Sequence, residues 1–377
     1  MDSHSASCSP AAPGCRGIVP PHLLDRLAAS DDPRLSVPAA RTRARDAAQR
    51  GRRHQAARAI PAQPLPERPD PTAETRRTVY DAQGGDALPG KRVRSEGEDA
   101  VADASVNRAY AGLGATIALY RSAFGRSSVD GSGMPLDASV HYGEQYANAF
   151  WDGGRMVFGD GDGEVFRDFT LAVDVIGHEL AHGVTQYTAN LQYRGQSGAL
   201  NESVSDVFGS LVKQHELGQT AGEADWLIGA GLFTPQVRGR ALRSLSAPGT
   251  AYDDDVLGSD PQPGHMDDFV HTPDDNGGVH INSGIPNRAF HRFAVALGGH
   301  AWERAGQVWY DTLTSDALSP DAGFAEFAGA TVAAAEARHG RGAVSKALLQ
   351  AWTDVGVAVR EGAESARPGN RGAVRSS

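Results

Sequence analysis

Apolar side chains recur at helical spacing through most of the second half of the chain, whereas alternation at a period of two is confined to a shorter region before it. LAVDVIGHELAHGVTQYTA (171–189) predicts one long helix, and NESVSDVFGSLVKQHEL (201–217) predicts a second with Asn201 as its N-cap. NRAFHRFAVALGG (287–299) and AGFAEFAGATVAAAEARHG (322–340) predict two more, each closed by glycine. Earlier in the chain ADASVNRAYAGLGATIALYRSAF (102–124) has helical periodicity, while SVHYG (139–143) and RMVFGDGDGEVFRDF (155–169) read as strands punctuated by Gly and Asp turns. In residues 1 to about 75 only GIVPPHLLDRLAAS (17–30) suggests local order, and RAIPAQPLPERPDPT (58–72) reads as an extended Pro-rich linker. The last stretch, EGAESARPGNRGAVRSS (361–377), reads as disordered. The expected organisation is a leader with a linker (1–75), a strand-containing lobe that includes the 171–189 helix (76–189), a helical lobe (190–360) and a tail (361–377).

Composition narrows this. The 377 residues are 40% hydrophobic and 22% charged, as in soluble globular proteins, and no apolar run is long enough for a membrane span. The net charge of -10 argues against nucleic acid as a partner. Residues 1 to 75 carry eleven Arg against eight Asp and Glu, a net of +3, which leaves -13 for the remainder. A basic leader can therefore sit on an acidic body, although a solvated Arg-rich tail would show the same charge. The body has no cysteine, because Cys8 and Cys15 both lie in the leader, so a disulfide framework and a Cys-ligated zinc are excluded there. The opening stretch has no basic region followed by an apolar one, so a standard secretory signal is not expected.

The chemistry concentrates in residues 178 to 206. On a helix, positions four apart share a face, so His178 and His182 can aim their rings at one point. Zinc takes imidazole nitrogen and carboxylate oxygen, and Glu202 can be a third ligand if its helix packs on the first. Glu179 lies beside the ligand face, where it suits a base acting on a water. Asp206, one turn after Glu202, can accept the free ring N–H of a ligand histidine. Two histidines four apart are often just core or surface residues. The following carboxylates at these spacings make coincidence far less credible.

These residues carry a family resemblance. From about Val79 to Val359 the chain resembles the thermolysin-type zinc metallopeptidases, the gluzincins in which HExxH is followed by NExxSD. The matches are NAFWDGGRMVFGDGDG, HELAHGVTQYTANLQY, SGALNESVSDVFG, LRSLS and DNGGVHINSGIPNRAF. The resemblance implies an α+β, two-lobed fold, strand-rich at the N-terminal side and mainly helical at the C-terminal side, with the active-site helix between the lobes. It implies a catalytic zinc on His178, His182 and Glu202, with Glu179 as general base and Asp206 behind a ligand. His280 and Tyr193 would stabilise an oxyanion, with Asp275 orienting His280. Arg243 would bind a substrate carbonyl, and Asn148 and Ala149 would pair with substrate backbone. Phe166, Phe169, Val175 and Leu242 would form an apolar specificity pocket, favouring cleavage before large apolar residues.

Two departures matter. Family members often bind paired calcium beside the active-site helix. Asp174 and Asp225 persist here, but Lys213, Leu227 and Ala230 stand where further carboxylates are expected, and Arg240 replaces an acidic ligand of another site. Lys213 is expected to substitute for this calcium. The leader CRGIVPPHLLDRLAAS is similar to the short pro-segment of the protealysin-like branch, which implies an intramolecular inhibitor removed by self-cleavage, with Cys15 a candidate zinc thiolate. The expected activity is that of a zinc endopeptidase made as a zymogen and acting on proteins or peptides, monomeric when mature. It would be extracellular by resemblance, through a route without a standard signal, or else cytoplasmic. A zinc exopeptidase and a zinc-dependent binding protein without catalysis are the alternatives.

Overall fold

The computed structural model describes residues 16–59 and 74–359. Cys8, Cys15, most of the Pro-rich linker and the tail lie outside the described residues. Among the described residues no helix is long and apolar enough to cross a membrane.

The leader contributes a two-residue strand β1 (Arg16–Gly17), a short helix α1 (Pro21–Ala28) and a long helix α2 (Pro33–Ala59). Proline at the first helical position of α1 is favourable, because its missing N–H has no helical partner there anyway. Helix α1 buries Leu23, Leu24 and Leu27, an i, i+1, i+4 set on one face. Helix α2 corrects the reading of residues 31–59 as lacking order. Its segment is poor in large apolar residues, so hydrophobic periodicity does not reveal it, but the Ala- and Arg-rich run has high intrinsic helix propensity.

Strands β2 (Arg77–Asp81), β3 (Lys91–Ser95), β4 (Leu136–Val140), β5 (Ala149–Trp151) and β6 (Arg155–Phe158) join β1 in one sheet of order β1-β5-β6-β4-β2-β3. β2–β4 and β4–β6 pair parallel, while β1–β5, β5–β6 and β2–β3 pair antiparallel. Helix α3 (Ala104–Phe124) packs against this sheet. Asp103 caps it by accepting from the Ser105 and Val106 N–H groups, and Gly125, at φ 62°, ends it in the left-handed region.

Helices α4 (Val173–Gln186) and α5 (Gly195–Leu217) form the centre of the molecule. Every residue of α4 from Asp174 to Thr185 is buried, so this helix has no solvent face. Two glycines let the pair approach closely. A Cβ on Gly209 would lie 2.4 Å from the Asp174 carbonyl oxygen, and one on Gly177 would lie 2.9 Å from Val212 Cγ2. Helix α5 begins six residues before the expected start, so Asn201 is a buried residue inside it rather than its N-cap. A short two-stranded ribbon, β7 (Leu227–Ile228) with β8 (Arg243–Ser244), flanks α5. The rest of the second lobe is helical: α6 (Asp275–Asn282), α7 (Gly284–Leu297), α8 (Ala305–Thr314), α9 (Phe324–His339) and α10 (Ala343–Thr353). A stack of Phe290, Phe293, Trp309, Phe327 and Trp352 fills its core. The architecture is α+β, with a strand-rich first lobe and a helical second one.

Candidate metal centre and cleft

His178 and His182 project from one face of α4, their rings 4.7 Å apart and nearly perpendicular. Glu202 reaches them from α5: its carboxylate oxygens lie 3.5 Å from His178 Nε2 and 3.4 Å from His182 Nε2. All three residues are fully buried, and their candidate donor atoms lie within 4.8 Å of one another. His178 Nε2 and Glu202 Oε2 make no hydrogen bond, although an unsatisfied buried polar atom costs about 1–3 kcal/mol. Two imidazoles and a carboxylate converging in this way fit a zinc ion.

The far side of each imidazole is anchored. His178 Nδ1 donates to Asp206 Oδ1 at 2.8 Å, and His182 Nδ1 lies 2.8 Å from Asn201 Oδ1. These contacts leave both Nε2 atoms turned inward. Sequence reasoning found Asp206 but missed Asn201, because an Asn ahead of an apolar run looks like a cap. Its proximity to Glu202 with a second histidine still needing an acceptor was the available signal. Asp206 also takes a bidentate contact from Arg243 (2.8 and 2.7 Å) and a bond from Asn287 Nδ2 (2.8 Å). Burial alone would raise its pKa, but Arg243 and His178 outweigh that and hold it well below the usual range.

Glu179 is fully buried, and its Oε2 accepts the Trp151 backbone N–H at 2.9 Å. Opposite the triad, His280 Nε2 lies 3.3 Å from Tyr193 Oη and 3.5 Å from Glu202 Oε2. Tyr193 Oη also donates to Glu202 Oε1. Residues Asp275 to Gly278 all have positive φ, and this turn brings Asp275 back onto His280. Asp275 accepts from His280 Nδ1 at 2.7 Å and from its backbone N–H at 2.8 Å. Burial would lower the His280 pKa, but Asp275 and Glu202 raise it to about 9.

The leader runs through this cleft. β1 pairs antiparallel with β5, and the Ile18 N–H donates to the Ala149 carbonyl at 3.0 Å. The Val19 N–H donates to Asn148 Oδ1 at 3.0 Å, and Arg243 Nη1 donates to the Ile18 carbonyl at 2.9 Å. The Gly17 carbonyl lies 3.2 Å from His280 Nε2. Ile18 is fully buried in the apolar core that includes Phe166, Phe169, Val175 and Leu242. Further along, Arg26 donates to the carbonyls of Asp255 and Val256, and Arg45 and Arg41 face Asp86 and Glu144.

A second cation cluster lies on the same two helices. Lys213 Nζ of α5 stands 2.7 Å from Asp174 Oδ2 of α4, 2.9 Å from Asp225 Oδ1 and 2.6 Å from the Leu227 carbonyl. Arg240 is exposed.

Residues 70–186 match the model of the thermolysin metallopeptidase catalytic domain, and residues 189–357 match that of the thermolysin metallopeptidase alpha-helical domain. The chain is 49% identical to an extracellular metalloprotease of Pectobacterium carotovorum subsp. carotovorum, over 91% of this chain and 97% of the relative. It is 38% identical to a thermolysin of Alicyclobacillus acidocaldarius, over 74% of this chain and 50% of that protein. The solved structure of the precursor of protealysin, a metalloproteinase from Serratia proteamaculans, aligns at a TM-score of 0.82 and 51% identity, covering 91% of this chain and all of that one. The family motifs, the paired domain matches and the buried His-His-Glu triad agree: this chain belongs to the thermolysin family of zinc metallopeptidases.

Proposed function

We propose that the chain is a zinc-dependent endopeptidase synthesised as a zymogen, in which residues 16–59 belong to an inhibitory pro-segment. The observation that carries this reading is the path of the leader. It crosses the cleft as an extended strand, with the Gly17 carbonyl beside His280 and backbone bonds on both sides of it. An exopeptidase cleft would stop the chain at one end. Here chain continues both ways, which favours internal cleavage.

Zinc on His178, His182 and Glu202 would polarise the scissile carbonyl and acidify the attacking water. Glu179 takes the water's proton and passes it to the leaving amine. The Trp151 N–H fixes its carboxylate, and burial keeps bulk water from competing for it. His280 Nε2 and Tyr193 Oη donate to the charge developing on the carbonyl oxygen, each such donor typically contributing about 3 kcal/mol. Asp275 holds His280 protonated and aimed. Arg243 binds the carbonyl of the residue after the cut, and Asn148 and Ala149 hold the backbone. Ile18 in an apolar surrounding supports cleavage before apolar residues, with Phe166, Phe169, Val175 and Leu242 as the pocket. Lys213 takes the place of a calcium ion. The name of the Pectobacterium relative supports an extracellular site of action.

The test is casein hydrolysis by the zinc-loaded chain, followed with intact-mass and N-terminal analysis. Wild type is expected to lose its leader and cleave casein, while Glu179→Gln keeps both zinc and leader and cleaves nothing. Equal casein hydrolysis by the two would remove Glu179 from the mechanism.

A further inference from the structure

Gly17 is tightly enclosed. A Cβ added to it would lie 2.5 Å from Nδ2 and 2.9 Å from Cγ of Asn148. Its φ is outside the left-handed region, so space rather than backbone conformation demands glycine here. The obstacle is an amide held from two directions. Asn148 Oδ1 accepts from the Val19 and Ala149 N–H groups, both at 3.0 Å, and its Nδ2 donates to Asp46 Oδ2 at 3.1 Å. Asp46 belongs to α2, is 7% exposed, and also accepts from Tyr146 Oη at 2.5 Å. One turn earlier in α2, Thr42 Oγ1 accepts the Ala147 N–H at 3.0 Å.

Both oxygens of the Asp46 carboxyl group accept, one from Asn148 Nδ2 and one from Tyr146 Oη. The carboxyl group therefore selects the Asn148 orientation in which nitrogen faces α2 and oxygen faces the leader strand, since the flipped amide would set two acceptors against each other. Held in that place, the amide fills the space that any side chain on the residue at Gly17 would need.

We propose that Asp46 is a positioning residue: it draws the Asn148 amide across Gly17, so that the pro-segment's glycine is the residue admitted there. Departure of α2 frees the amide and opens the cleft to residues with side chains at that point. The leader thus carries its own specificity filter, separate from its steric bulk. The inference rests on the reading of Asn148 as a partner of substrate backbone.

Hydrogen exchange tests it on the full chain carrying Glu179→Gln, in which no turnover intervenes. Exchange of the Ile18 and Val19 amides is followed by mass spectrometry. Asp46→Ala and Gly17→Ala are each expected to speed it roughly tenfold, the equivalent of one lost buried hydrogen bond or a tight overlap. The double variant is expected to exchange no faster than either single one, because a freed Asn148 no longer clashes with the added methyl. Thr42→Ala loosens the same turn of α2 without touching Asn148, so its effect is expected to multiply with that of Gly17→Ala. An unchanged rate in Asp46→Ala, multiplying effects of Asp46 and Gly17, or coupling of Gly17 to Thr42 as strong as to Asp46 would each overturn the proposal. Failure of the peptidase reading would appear separately, as absence of casein hydrolysis by the chain with Glu179 intact.

Discussion

Helices α4 and α5 carry two clusters built for positive charge, and they differ in where the charge comes from. At one end His178, His182 and Glu202 converge, with His178 Nε2 and Glu202 Oε2 making no hydrogen bond. At the other, Asp174 and Asp225 converge on the Lys213 ammonium, which is satisfied by two carboxylates and a carbonyl. The first can exchange its ion and offer an open position to substrate. The second is part of the chain itself, and its Lys213–Asp174 contact joins α5 to α4. Burial alone would pull the Lys213 pKa down, but Asp174 and Asp225 outweigh it and the net shift is upward. The lysine stays charged through the physiological range.

The largest effect that distinguishes the clusters is metal removal. Chelation is expected to abolish peptidase activity, with zinc restoring it and calcium failing to do so. Restoration by calcium alone would erase the difference. Next comes Lys213→Met, which strands the buried Asp174 carboxylate and is expected to cost about 3–5 kcal/mol in urea unfolding. Added calcium should not raise the wild-type midpoint, and a wild-type midpoint that rose with calcium would show that Lys213 does not replace the ion. A smaller effect is expected for Asn201→Ala. Loss of the His182 Nδ1 partner should weaken zinc binding about 10–100-fold by competition with a chelating dye, with far-UV circular dichroism unchanged. Undiminished affinity would mean that the nearby Ser205 hydroxyl, 2.9 Å from the same nitrogen, suffices.

The same contrast explains what the sequence could and could not disclose. His178, His182, Glu202 and Asp206 were legible because helical spacing alone puts them on facing surfaces, and the α4 and α5 segments have strong apolar periodicity. Lys213 was legible as a charge out of place among expected carboxylates. Asn201 was not, because its role depends on α5 starting at Gly195, and the run from Gly195 to Leu200 begins without a capping side chain. Helix α2 escaped because the polar contacts that seat it are long-range: Thr42, Asp46 and Gln49 bond to residues about a hundred positions away. Local pattern holds no trace of such pairings. The Gly17–Asn148 approach is likewise tertiary, since a lone glycine before an Ile-Val pair carries no period.

A third cluster, at the surface, sharpens the rule. His141 bridges Asp103, the cap of α3, and Asp160, with 2.8 Å contacts from Nε2 and Nδ1 respectively. The Asp160 hydrogen bond raises its pKa most, burial opposes this and Asp103 adds to it, giving about 9. Because the folded value lies above the unfolded one, the stabilisation is fully present below about pH 6.5. It is lost as pH rises through about 9. Here the cation is neither exchangeable, as at the triad, nor permanent, as at Lys213, but conditional on pH. Partial exposure and solvent screening make this the smallest of the effects. His141→Gln is expected to flatten the decline in thermal midpoint between pH 6.5 and 9 while leaving zinc content unchanged. A decline as steep in the variant as in wild type would assign the pH dependence to other groups and remove His141 from the series.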